Sequence, residues 1–85
     1  MKLRIGDIIE IQNYDTLLKF IILTKPIFRD HGSIGNIYAD LLSLERSDGL
    51  HDEVHHKNMI YSWYFGTTTD YIYRVISVNG IPYEA

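Results

Sequence analysis

The chain has 85 residues, 8 basic and 11 acidic, for a net charge of -3; it is 46% hydrophobic and 13% aromatic and has no cysteine. That length holds one domain, residues 1–85, and the acidic balance argues against capture of nucleic acid by bulk positive charge. Without cysteine there are no disulfide staples, zinc fingers, iron–sulfur clusters or thiol nucleophiles, and the apolar share argues against intrinsic disorder.

Ile5 to Gln12 reads as the first strand, opened by Gly6-Asp7, with Ile9 and Ile11 alternating with Glu10 and Gln12. Ile8 breaks the alternation and predicts cover on both faces there. Asn13-Tyr14-Asp15-Thr16 is a turn cluster. Leu17 to Thr24 is nearly all apolar, with Lys19 its one charge, and predicts a central strand covered on both faces. Pro26 ends it or marks an edge. Phe28 to Asn36 carries Gly32, Ser33 and Gly35 among charges and reads as a mobile loop.

Ile37 to Arg46 is the third strand. Ser47-Asp48-Gly49 supplies the positive φ angles of a tight hairpin, with a single helical turn after Asp48 as the competitor. A fourth strand falls within Leu50–Phe65, with His51-Asp52-Glu53 its polar start and Met59-Ile60-Tyr61 its buried part. Gly66 to Asp70 is a loop, and Tyr71 to Val78 the last long strand. Asn79-Gly80 signals a second hairpin, with a short return over Ile81–Tyr83.

About five short strands with regular turn signals predict an all-β domain, a small five-stranded SH3-like or OB-like barrel. The opening Ile5-Gly6-Asp7-Ile8-Ile9-Glu10-Ile11 resembles the first strand of many SH3-like barrels, where Gly-Asp turns into an apolar strand.

Six aromatic residues, Tyr61, Trp63, Tyr64, Phe65, Tyr71 and Tyr73, crowd into 13 positions. As a strand, Tyr61, Trp63 and Phe65 point one way and Ser62 and Tyr64 the other. A small barrel must use some of these rings as core, and an exposed Tyr/Trp surface is what an interface centre is made of. These six, with Phe28 and Arg29 from the flanking loop, are the candidate partner-binding residues. The rings could instead stack bases. That needs Arg4, Lys19, Lys25, Arg29, Lys57 and Arg74 to converge beside them.

His51, Glu53 and His55 would share one face of a strand and are the candidate metal ligands; a solvated polar arm is the plainer reading. The zinc-protease helix motif is missing, because Asp52 rather than glutamate follows His51. No nucleophile elbow or P-loop is present, and a ribonuclease site built around His31 is not selected by any spacing. The sequence therefore predicts no enzyme and no cofactor.

The N-terminus has no apolar signal-peptide core, and Phe20-Ile21-Ile22-Leu23 is far too short to span a membrane. A cytoplasmic protein is expected. Thirteen isoleucines against two alanines suit an AT-rich genome, that of a low-GC bacterium or its phages and plasmids. Together these features predict a non-catalytic binding module, an inhibitor or adaptor from a phage or mobile element acting on a host protein, or self-associating as a homodimer. A nucleic-acid-binding barrel is the alternative, and metal binding the third reading.

Overall fold

Alternation of side chains sets the first hairpin. In β1 (Ile8–Asn13), Ile9, Ile11 and Asn13 turn inward while Glu10 and Gln12 turn outward. In β2 (Thr16–Ile22), Thr16, Leu18, Phe20 and Ile22 turn inward and Leu17, Lys19 and Ile21 outward. Asn13 lies opposite Thr16, and Tyr14 between them has φ +56°, the left-handed geometry of primed hairpin turns. The computed structural model describes residues 3–14, 16–29, 35–46, 59–67 and 73–83.

Two expectations for this hairpin are corrected. The first strand starts at Ile8 rather than Ile5, because Gly6 (φ +89°) sits in a turn closed by Arg4 N–H to Asp7 Oδ2 (2.8 Å) and Asp7 N–H to the Arg4 carbonyl (3.1 Å). Neither Ile8 nor β2 is covered on both faces. Ile8 is exposed, and the apolar run of β2 has one buried face and one open one.

After Ile22 the chain bends. Leu23 N–H donates to the Asp40 carbonyl (2.8 Å), and Thr24 Oγ1 accepts from Asp40 N–H (2.9 Å). Pro26 is buried in this bend. β3 (Ile27–Phe28) then resumes pairing along the same edge of β4 (Ile37–Arg46), with Ile27 opposite Tyr38 and Phe28 opposite Ile37. Phe28, expected in a loop, is thus in a strand, and Arg29 N–H bonds the Asn36 carbonyl (2.6 Å).

β5 (Ile60–Phe65) pairs antiparallel with the other edge of β4, Leu42 opposite Ile60 and Ile37 opposite Phe65. A two-residue turn at Asp48-Gly49 would instead place Leu42 opposite His55, if pairing ran on without a break. That dipeptide, the competing helical turn and His51–Glu53 lie outside the described residues. Met59 and Ile60, expected in the core, are exposed, and Tyr61 is half-buried. Ile60 faces outward, and only the odd positions of β5 turn in.

β6 (Arg74–Val78) returns beside β1, with Ile9 opposite Val78, Gln12 opposite Arg74 and a bulge between Glu10 and Ile11. It begins three residues later than expected, with Tyr71 and Ile72 outside the described residues. Asn79 and Gly80, at φ +52° and +81°, turn the chain into β7 (Ile81–Pro82), as their sequence predicts.

The sheet therefore runs β5, β4, then β2 and β3 end to end, then β1, β6 and β7. Just past β5, Gly66 meets β6: its N–H donates to the Tyr73 carbonyl (2.8 Å) and its carbonyl accepts from Val75 N–H (2.9 Å). The result is an all-β half-barrel, a curled antiparallel sheet with no helix among the described residues. Phe20, Phe65, Ile9, Ile11, Leu18, Ile22, Ile37 and Leu41 fill its core.

The β6–β7 turn is latched to the start of β1. Asn79 Oδ1 accepts from Ile8 N–H (2.9 Å), and Nδ2 donates to Asp7 Oδ1 (3.0 Å). Asn79→Asp keeps a residue that tolerates positive φ but turns a donor into a carboxylate facing Asp7. Urea unfolding should show a loss of about 1 kcal/mol, as for an exposed hydrogen bond, with part regained in high salt. An unchanged midpoint would mean that this latch contributes nothing.

Candidate functional site

The aromatic segment divides by strand parity. Phe65 is fully buried, so its expected place on a partner-binding surface is corrected: it turns into the core, opposite Ile37, at the centre of the row Phe28–Ile37–Phe65. Trp63 is half-buried. Its ring centroid lies 5.5 Å from Phe20 and 4.3 Å, nearly edge-on, from Tyr73. Tyr61, Trp63, Tyr73 and Tyr83 all pack against the core from the side where β5 and β6 are joined at Gly66. These rings cover the core where the sheet stops short of closing.

Tyr64 turns outward and rests on Tyr38, centroids 4.7 Å apart. Ile27 lies opposite Tyr38, which makes an outer row Ile27–Tyr38–Tyr64 across three strands. Phe28, 60% exposed, alternates to the opposite face at the end of β3, in line with Ile37, and the exposed Arg29 follows it. Tyr71 lies outside the described residues, as do His51, Glu53 and His55.

A second outer row escaped the sequence reading. Ile8 lies opposite Ile21, Ile21 opposite Leu42, and Leu42 opposite Ile60. Four strands thus each place one aliphatic side chain on a single outward line, about 14 Å across at the usual strand spacing. Its ends are open, Ile8 at 37% and Ile60 at 64% exposure. On one side the line is bordered by Asp40, whose Oδ1 accepts from Ser62 Oγ (2.6 Å), and beyond it by the tyrosine row. On the other side the register sets Lys19 opposite Glu10.

The polar groups of the outer face are committed to one another. Ser77 Oγ donates to Glu10 Oε1 (2.6 Å) and Arg74 Nη2 to Gln12 Oε1 (3.1 Å). A shallow hollow of about 330 Å³ over Ile8, Glu10, Lys19, Ser77, Asn79 and Gly80 lies on this face. The bonded pair Ser77 and Glu10 forms part of its lining. Arg74, one of the six cations that nucleic acid would need, is bonded to Gln12.

Comparison of the chain with protein-family models, with curated proteins and with solved structures finds no match.

Proposed function

We propose that this protein is a non-catalytic protein-binding module whose contact surface is the outer face of β1, β2, β4 and β5. The observation that carries this reading is the line Ile8–Ile21–Leu42–Ile60, with Ile27, Tyr38 and Tyr64 beyond it. Adjacent strands aligning aliphatic and tyrosine side chains outward, with a polar border, match the composition of an interface centre. Arg29, exposed just past β3, extends the surface. Trp63 acts by supporting β5 from beneath.

The strand order supports the SH3-like alternative over the OB-like one. It is a meander whose last long strand lies beside the first, whereas an OB barrel is a Greek key. The isoleucine-rich, alanine-poor composition supports a role as an inhibitor or adaptor of a phage or mobile element, acting on a host protein in a bacterial cytoplasm.

The test compares baits from one lysate: the wild-type protein and Leu42→Lys, read by mass spectrometry with and without nuclease. Leu42 is half-buried at the middle of the line, and a lysine stem can lie along the same surface while its charge spoils an apolar contact. The expected result is a nuclease-resistant protein retained by the wild type and lost, at least tenfold, with Leu42→Lys, the melting temperature falling by only a few degrees. Equal retention by both baits would remove the outer face as the contact surface. Nucleic acid recovered in its place would favour the base-stacking alternative.

A further inference from the structure

We propose that the protein partner anchors itself with an arginine, whose guanidinium pairs with Asp40 and lies against Tyr38. The inference rests on the preceding reading of the outer face and adds the chemistry of what that face takes. It begins with how the outer carboxylates are held. Asp7 accepts from Arg4 N–H (2.8 Å) and from Asn79 Nδ2 (3.0 Å). Glu10 accepts from Ser77 Oγ (2.6 Å) and lies opposite Lys19. Asp40 differs. Its Oδ1 accepts from Ser62 Oγ (2.6 Å), and among the described residues no cation pairs with it.

The surroundings of Asp40 are apolar on two sides. It is half-buried and turns outward between Tyr38 and Leu42, each two residues away on β4 and about 7 Å off. Across the β4–β5 pairing, Ser62 lies directly opposite, with Tyr64 on the Tyr38 side and Ile60 on the Leu42 side. The carboxylate thus stands between the aliphatic line and the tyrosine row. A partner that covers both rows covers Asp40 with them. A carboxylate shut away from water is strongly unfavourable unless a cation arrives with the cover.

Two features select arginine over lysine. Ser62 uses one lone pair of Oδ1, which leaves the carboxylate able to take two parallel N–H···O bonds from a guanidinium fork. Tyr38, its ring set against Tyr64 with centroids 4.7 Å apart, stands one pleat away. A planar cation can stack on such a ring while its edge meets the carboxylate, and its aliphatic stem can lie along Leu42 and Ile60. The net charge of -3 favours the approach of a cationic partner.

The experiment selects displayed random peptides on the wild-type protein, on Asp40→Asn and on Leu42→Lys. Asp40→Asn keeps an oxygen for Ser62 Oγ and removes the charge, so its circular dichroism should be unchanged. The wild type is expected to enrich arginine beside apolar residues, and Asp40→Asn to lose that enrichment. In a selected peptide, exchanging the arginine for alanine should weaken binding about three- to thirtyfold, the combined effect of an exposed ion pair and an exposed cation–π contact. Exchange for lysine, which needs no protein variant, should restore only part of it. On Asp40→Asn the alanine exchange should cost at least twofold less than on the wild type, which places the coupling between those two groups. Peptides without an arginine excess, or an alanine exchange of equal cost on both proteins, overturn the inference. If such peptides are still lost with Leu42→Lys, the outer face stands as the contact surface and only its arginine anchor falls. Peptides indifferent to both substitutions remove both. An empty selection overturns this inference and leaves the lysate baits to decide the face.

Discussion

Replacing Gly35 by alanine is expected to abolish cooperative folding. Gly35 sits at φ +138°, two residues before β4, where its missing side chain lets the backbone press against Phe65. A Cβ built there lands on the Phe65 carbonyl group. Backbone is what it strikes, held by the Ile37–Phe65 pairing, so no side chain can swing away. The loss should exceed about 4 kcal/mol, the range reserved for such clashes. A chain of this length is worth only about 4–13 kcal/mol in total, at 0.05–0.15 kcal/mol per residue. Urea unfolding followed by circular dichroism reads the result. Gly6→Ala is the control: its φ is +89°, but nothing lies within 4 Å of the added carbon, so only the left-handed strain of about 1–2 kcal/mol applies. Equal losses in the two variants would show that backbone conformation, and not the contact with Phe65, sets the requirement for glycine at position 35.

Trp63→Ala should cost about 3 kcal/mol, the lower end for removing a large aromatic ring because part of this one meets solvent. Two ring contacts go with it, the 5.5 Å approach to Phe20 and the 4.3 Å approach to Tyr73. The melting temperature should fall by about 12–24 °C, taking 4–8 °C per kcal/mol for a small domain. Tyr64→Ala, which removes an outward ring resting on Tyr38, should lower it far less while weakening partner binding. If Trp63→Ala lowers affinity and leaves melting unchanged, the ring belongs to the contact surface and its packing against Phe20 has little energetic weight.

The strands were legible because one face of each meets a core and the other does not. Ile9 and Ile11 against Glu10 and Gln12 show it plainly, and Asn79-Gly80 is written in the backbone preferences of those two residues. The misreadings share a cause. Leu17 to Thr24 is apolar on both faces, which predicts cover on both, yet Ile21 turns outward into a line with Ile8, Leu42 and Ile60. No periodicity within one strand reveals that line, since it is assembled across strands tens of residues apart. The aromatic segment shows the same divide: strand parity correctly grouped Tyr61, Trp63 and Phe65, but how deep each sits depends on where the sheet stops closing. That point is set by Gly66, which carries no pattern of its own. Gly35 likewise reads as loop composition and becomes a close approach only when Phe65 is brought beside it.

The pairing of β1 with β6 joins Ile9 to Val78, 69 positions later in the chain. At about 5–20 residues per second, a ribosome needs about 3–14 s to make the residues between them. For that interval the edge of β1 that β6 will cover has no strand to take, and Ile9 and Ile11 lack the side of the core that Val75 and Val78 supply. Five of the described strands are made before β6, the strand that joins the first. The sheet thus cannot be completed until Val78 has been made, and its vulnerable period is set by translation speed as much as by its own stability.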